Sequence, residues 1–272
     1  ERGYKVTFLP VHSDGSLDLG LLERSIQRDT ALVSVMWANN ETGVIFPISE
    51  IGSMCRSKQV LFHTDAVQVA GKLAIDVRSA DVDFLSLSGH KLHAPKGIGL
   101  LFVSSSARYQ PYILGGHQEN GRRGGTENVP SIVGFGKAAE VAMNDLAGRT
   151  RRIQSMRDRL EQAILGAIPN ICRNGAKEPR LPNTTNLAFD GVEAEAMLLM
   201  LDQLGICASS GSACTTGSLA PSPVLTAMGL SPASARGSIR FSLGTYTTDA
   251  ELDYLFQQLP ALVKHLRSAS PL

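Results

Sequence analysis

The amino-acid sequence predicts an α/β fold, a mostly parallel central sheet flanked by helices, followed by a smaller α+β domain. Two observations predict the first part. Short apolar runs alternate with helix-like segments through the first half of the chain, the pattern of βαβ units. Several of those runs end directly on polar clusters, which is where an open α/β sheet presents its ligand side. A third observation predicts the second part: beyond residue 145 strands are fewer and are mixed among amphipathic helices. The chain thus divides into a large domain over 1–145 and a smaller one over 146–272.

Taken in order, Asp14-Gly15 is a turn pair, and Leu19, Leu22 and Ile26 recur at helical spacing after Asp18, a suitable N-cap. The run Ala31 to Met36 reads as a buried strand, and Pro47 to Cys55 as a helix opened by its proline. Val60 to Phe62, Phe84 to Leu87 and Gly99 to Val103 read as further strands. A glycine-rich stretch from Gly115 to Gly125 precedes a helical region running from Pro130 past Leu146, with another amphipathic helix from Arg149. In the second domain Asn186 to Phe189 reads as a strand and Glu193 to Asp202 as a helix, and a further strand carries Arg240. Cys207 follows Ile206 in what reads as a strand. The last helix opens on a Thr248/Glu251 capping box, buries Leu252, Leu255, Phe256, Leu259, Val263 and Leu266, and is expected to kink at Pro260.

Composition narrows the function. With 43% apolar and 19% charged residues the 272-residue chain is neither disordered nor fibrous. A net charge of +1 supplies no global field for nucleic acid or an anionic membrane. The longest apolar run, Ala196 to Leu201, is far short of the ~18 residues a membrane span needs. Four cysteines without a C-x-x-C pair argue against a zinc site or a disulfide framework, and for a reducing compartment such as the cytoplasm. The first residue is Glu1, with no targeting segment before it, so a processed product or a fragment is expected.

Three polar clusters stand directly after predicted strands: Asn39 to Gly43, His63 to Gln68 and Ser88 to Lys91. Lys91, on a turn walled by Leu92, Ala94 and Pro95, is a candidate for desolvation, which favours a nucleophilic neutral amine. It is also the only candidate amine at that rim, and a nearby aspartate can pair a pyridinium nitrogen. The plain alternative is a surface lysine in a Gly/Pro loop. His63, His90, His93 and His117 lack helical metal-ligand spacing; His63 reads as a packed strand residue and His90 as a residue that stacks on or bonds a ligand. The glycine-rich stretch, with Arg122, Arg123 and Thr126, suits a phosphate or is simply a surface loop. Cys214 lies among Ser209-Ser210-Gly211-Ser212-Ala213 and Thr215-Thr216-Gly217 with nothing bulky to bury it, so it is either an accessible nucleophile or an incidental thiol. Cys55 and Cys172 read as structural. Arg240 alternates with apolar neighbours and needs an anion, either a substrate carboxylate or a protein one.

Together these segments resemble the cysteine desulfurases, most closely the NifS type, within the class-V aminotransferases and fold-type I pyridoxal-phosphate enzymes. The motifs are Ala-Asn-Asn-Glu-Thr-Gly (38–43), His-Thr-Asp-Ala-Val-Gln (63–68), Ser-Gly-His-Lys (88–91), Arg-Gly-Gly-Thr-Glu-Asn (123–128) and Ser-Ser-Gly-Ser-Ala-Cys (209–214), in family order. The resemblance implies that Lys91 is the Schiff-base lysine and Asp65 the partner of the pyridine nitrogen of pyridoxal 5'-phosphate. It implies that Asn40 and Gln68 surround the cofactor's 3'-oxygen, with Asn40 also on the substrate side. Ser88, Gly89 and His90 hold the phosphate, and Thr126 supplies a phosphate ligand to a neighbouring subunit of a homodimer. Arg240 clamps the carboxylate of the substrate, L-cysteine, and Cys214 takes its sulfur as a persulfide. An iron–sulfur scaffold protein is the implied acceptor, with Cys214 a transient ligand of the shared cluster, in general iron–sulfur assembly or nitrogen fixation. A selenocysteine lyase or related class-V lyase is the alternative on the same fold; a non-catalytic chain that only binds a partner is another. The family also has a further N-terminal stretch, with a phosphate-cradling Ala-Thr pair and a cofactor-stacking histidine. The chain by itself is therefore expected to desulfurate cysteine poorly.

Overall fold

A computed structural model describes residues 3–211 and 221–269. It forms two compact units: a sheet unit of Ile26–Trp37 and Phe46–Leu146, and a second unit of Glu1–Ser25, Ala38–Ile45 and Ala147–Leu272.

The sheet unit is built on β1 (Leu32–Met36), β2 (Leu61–Asp65), β3 (Phe84–Ser88) and β4 (Gly99–Val103), in that spatial order. The first three strands are parallel and β4 returns antiparallel to β3, so the sheet is mostly parallel, as the alternation of runs predicts. One helix covers the step from β1 to β2: with α1 (Leu19–Ser25) in the other unit, this is α2 (Ile48–Ser57), which packs on β2 and buries Ile48, Ile51 and Cys55. Its approach depends on Gly52, where a Cβ would stand 2.2 Å from the carbonyl oxygen of Ala80. Phe62 and Leu85 fill the sheet's core. Beyond β4 come the short α3 (Gln118–Gly121) and α4 (Val129–Met143), the latter capped by Asn128. The helix predicted to run past Leu146 instead stops at Met143. Asn144 is extended and Asp145 takes a positive φ of 49° before α5 (Leu146–Ala167) begins. Asn and Asp side chains compete for backbone groups and tolerate that conformation, so the break comes earlier than the apolar spacing suggests.

In the second unit α1 is capped by Asp18, whose Oδ1 accepts the Leu21 amide at 2.9 Å. A three-stranded antiparallel sheet follows: β5 (Ile171–Arg173), β6 (Thr184–Phe189) and β7 (Ser238–Ser242), with β6 central and buried throughout. Helices α5, α6 (Ala194–Gln203) and α9 (Asp249–Ala269) close over one core with Leu187, Phe189 and Ile239 of the sheet. Two short helices, α7 (Pro223–Ala227) and α8 (Pro232–Arg236), each start on Ser-Pro with the serine as cap. The capping box of α9 forms: the Thr248 amide donates to Glu251 Oε2 at 2.7 Å, and the Glu251 amide to Thr248 Oγ1 at 3.3 Å. The helix carries Pro260 in its interior. Cys207 is exposed and outside any strand. Gly205, at φ 74°, caps α6 with the Ile206 amide returning to the Leu201 carbonyl, and this turn takes up the residues that would have extended a strand. Among the described residues no helix is long and apolar enough to cross a membrane.

Candidate active site

The parallel strands of the sheet unit deliver their last residues to one edge. Asp65 ends β2 and Ser88 ends β3. A 3-10 turn, Gly89–Leu92, follows Ser88 at once and carries His90 and Lys91. Gly89 is needed there: its amide donates to the Ile98 carbonyl at 2.9 Å, and a Cβ would stand 2.7 Å from the Ile98 side chain. Ser88 Oγ and His90 Nδ1 are hydrogen-bonded at 2.8 Å. Asp65 is exposed, and its Oδ1 accepts the Val67 amide at 2.9 Å, which fixes the carboxylate at the strand end. Gln68 is partly buried in the next turn, and Thr126 is exposed between α3 and α4.

Two expectations about this edge change. Lys91 is exposed, not enclosed by Leu92, Ala94 and Pro95. Leu92 packs against Gly71 and Ala94 against Gly89. Nor is Lys91 the only amine here. Lys72, which sequence reasoning missed, is partly buried and donates from Nζ to the Gln68 carbonyl at 2.7 Å. Burial, and then the charge of Lys91, push its ammonium down to about 8. A Gly-Lys pair after the His63–Gln68 cluster was the signal in the sequence. Gly71 itself has a φ of 71°, and a Cβ there would stand 2.5 Å from Leu92 Cδ2, so this turn packs directly under the one that bears Lys91.

His63 is a packed strand residue. Its Nδ1 is 2.8 Å from Ser34 Oγ and its Nε2 2.9 Å from Ser86 Oγ, and burial lowers its pKa against the opposing charge of Asp65. Cys55 is buried in α2, where desolvation and then Asp83 raise its thiol to about 11; such a group is inert. Cys172, on β5, is exposed.

The second unit gathers a different set. Asn39 Oδ1 accepts the amides of Glu41 and Thr42 at 2.8 and 2.9 Å, which folds residues 38–43 into a tight ledge. Arg240, on β7, is partly buried and donates from Nη1 to the carbonyl of Asn40 at 2.8 Å. Asn40 and Arg240 are thus brought together. Burial lowers the pKa of Arg240 while the Glu41 charge opposes the shift. Its Nε is buried with no hydrogen-bond partner among the described residues. Among the described residues the one side-chain hydrogen bond of Arg240 is to that neutral carbonyl, and a partly buried guanidinium so placed can take a carboxylate. Ser209, Ser210 and Gly211 lie beside it, with the Ser209 and Arg240 backbones paired. Cys214 lies outside the described residues.

A mostly parallel sheet with lysine, aspartate and a Ser-His pair at its carboxyl edge defines a class. The aminotransferase class-V family matches residues 1–255, and the chain belongs to that family. The cysteine desulfurase of Nostoc sp. strain PCC 7120 is 53% identical over 270 residues, covering 99% of this chain and 68% of that protein. Cysteine desulfurase NifS of Azotobacter vinelandii is 49% identical over 99% of this chain and 67% of its own length. The solved structure of a NifS-like protein from Rickettsia africae ESF-5 superposes with a TM-score of 0.86 at 34% identity, over 94% of this chain and 69% of that one. Within the family the chain is a NifS-type cysteine desulfurase, a pyridoxal-phosphate-dependent enzyme. It spans about two thirds of the length of the curated relatives it matches.

Proposed function

We propose that this cysteine desulfurase moves the sulfur of L-cysteine onto Cys214 as a persulfide, releases L-alanine, and passes the sulfur to an iron–sulfur scaffold protein. The observation that carries the reading is Arg240, whose buried Nε has no partner among the described residues and whose Nη1 donates to the Asn40 carbonyl. A bidentate α-carboxylate completes that guanidinium, and it is the one group an amino-acid substrate always presents.

The sheet edge fits the family's cofactor. An exposed lysine, an exposed carboxylate anchored by the Val67 amide, and the Ser88–His90 pair stand at the ends of adjacent strands, with Gly89 leaving no side chain between them. On this reading Lys91 carries pyridoxal phosphate and Asp65 faces its ring nitrogen. Asn40 and Gln68 serve its 3'-oxygen, and Ser88, Gly89 and His90 hold its phosphate. Thr126 reaches the phosphate of a second subunit, which makes the enzyme a homodimer. When bound, the cofactor draws electrons from the amino acid's α-carbon and loosens the bond between its β-carbon and sulfur.

The chain's own residues do the rest. Arg240 fixes the carboxylate, and the released Lys91 amine moves a proton at the substrate's α-carbon. Cys214 attacks the substrate sulfur as a thiolate: an S–S bond forms, the C–S bond breaks with its electron pair left on the carbon side, and protonation there yields alanine. The same thiol, once loaded, is the transient cluster ligand shared with the scaffold. A persulfide survives only where thiols stay reduced. The reading therefore puts the enzyme in a reducing compartment such as the cytoplasm.

The test is Cys214→Ala in the full-length enzyme. The cofactor's visible absorption should persist while sulfide release from cysteine is lost. Retained sulfide release would move the role to another thiol, with exposed Cys207 the next candidate.

A further inference from the structure

The antiparallel sheet of the second unit has an apolar face and a polar one. Leu187, Phe189, Ile239 and Phe241 alternate into the core, which turns Asn186, Ser238 and Arg240 to the opposite face. Asn186 and Arg240 are cross-strand partners on β6 and β7, so their side chains leave the sheet side by side. Both reach the 38–43 ledge and take consecutive carbonyls of it. Arg240 Nη1 donates to that of Asn40 at 2.8 Å, and Asn186 Nδ2 to that of Glu41 at 3.2 Å. Asn186 is 1% exposed, and no role above uses it. Its amide can be oriented in one way only. Ser238 Oγ gives its single proton to the Ser234 carbonyl at 2.7 Å, so toward Asn174 Nδ2, at 2.9 Å, it can only accept. The other proton of that Nδ2 goes to Asn186 Oδ1 at 2.7 Å. With its oxygen so taken, Asn186 turns its own NH2 to the Glu41 carbonyl. The flipped amide would set donor against donor at Asn174 and oxygen against oxygen at Glu41, a costly mismatch among buried groups. A chain of donors from α8 through β7 and the residue after β5 thus ends on the ledge, one residue from the carbonyl that Arg240 holds.

We propose that Asn186 is a positioning residue for the substrate carboxylate: by holding the Glu41 carbonyl it sets the Asn40 carbonyl on Nη1 of Arg240 and so keeps the Nε–Nη2 edge of the guanidinium for the substrate. That edge is a fork that meets a carboxylate with two parallel N–H···O bonds, and its Nε is the buried atom without a partner among the described residues. The inference rests on the desulfurase reading, which seats the carboxylate on Arg240, and adds the residue that orients the seat. Asn186 itself touches neither substrate nor cofactor on this account. An arginine side chain has several rotatable bonds and follows its partner, so a ledge released from Asn186 lets the fork turn. One of the two charge-assisted bonds to the carboxylate is then lost, ~10-fold in affinity. A ligand without a carboxylate should not register the change.

The experiment measures equilibrium binding to the full-length holoenzyme by the change in cofactor absorbance. L-Alanine and ethylamine are the probes, identical except for the carboxylate that alanine carries. Asn186→Leu, of similar size and without a donor, should weaken alanine binding by ~10-fold and ethylamine binding by less than ~2-fold. In an Arg240→Leu background the same substitution should leave alanine binding unchanged, because Asn186 acts through Arg240. Asn174→Ala withdraws the group that orients Asn186; it should weaken alanine in the same selective way, and it carries the test if Asn186→Leu does not fold. A parallel loss of both probes, no loss of either, or a further loss of alanine in the Arg240→Leu background would overturn the inference. If Arg240→Leu alone leaves alanine binding unchanged, the carboxylate is not seated on Arg240, and that reading falls first and takes the inference with it.

Discussion

Lys72 and Lys91 set two amines within reach of each other's charge, and their surroundings separate them. Lys72 is tied to the Gln68 carbonyl and partly buried, while Lys91 stands exposed on its turn. Borohydride reduction of the holoenzyme should therefore put the pyridoxyl group on Lys91, and peptide mapping that found it on Lys72 would reverse the assignment. Lys72 also makes a pH prediction. Its ammonium is pushed from 10.5 to about 8 by burial and by Lys91. Between those values the unfolded chain holds a proton that the folded chain has released, so folding stability rises with pH across the window. Lys72→Gln removes that rise. Urea midpoints at pH 7.5 and pH 10 should show the native chain gaining on the variant by an amount on the order of 1–3 kcal/mol; equal gains would mean Lys72 titrates normally. The positions of Asp65, Ser88 and Lys91 at strand ends were legible because polar residues followed apolar runs. Lys72 was marked only by a Gly-Lys pair after the His63–Gln68 cluster; its burial was not legible, since the neighbouring contact of Gly71 with Leu92 joins two turns with no period in the sequence.

At the scale of elements, α5, β5 and β6 are joined to the 177–181 link by one ionic cluster. Glu161 of α5 accepts from Arg180 at 2.5 Å, from Thr185 at 2.7 Å and from Arg173 at 2.9 Å. Arg157, 1% exposed, donates to the Leu181 carbonyl at 2.7 Å and to Glu178 at 3.0 Å. Burial tends to raise the pKa of Glu161, but the hydrogen bonds from Arg180 and Thr185, the Arg180 charge and the Arg173 bond outweigh it and hold the carboxyl at about 2. With the folded pKa below the ordinary 4.5, its stabilisation is complete above 4.5 and is lost as pH falls from there toward 2. Removing it takes the close carboxylate from Arg173 and Arg180 and leaves Arg180 only the more distant Asp158 and Glu178, at 3.7 and 3.8 Å, so Glu161→Ala should cost ~3–5 kcal/mol at neutral pH. The loss should shrink when denaturation is measured near pH 2.5; a constant loss would place the energy in packing, not in charge. None of this was readable from the sequence, because the partners come from four separate segments. The strands and the α9 capping box were readable, since they are written in local spacing. The Asn144-Asp145 break and the Gly205 cap were visible as residues but were overridden by the apolar pattern around them.

At the scale of the whole molecule, the mostly parallel sheet ends in two edge strands whose apolar side chains reach solvent. Leu32 on β1 and Leu100 and Leu101 on β4 are nearly half exposed, and Val129, Val133 and Met143 on α4 more than half. Scattered apolar residues are ordinary, but exposed ones on edge strands and along one helix mark surface that associates. The 272-residue chain should therefore bind a hydrophobic dye and run above its monomer mass of 29.0 kDa in light scattering, increasingly so with concentration. A dye-silent monomer at all concentrations would mean these side chains are tolerated in water.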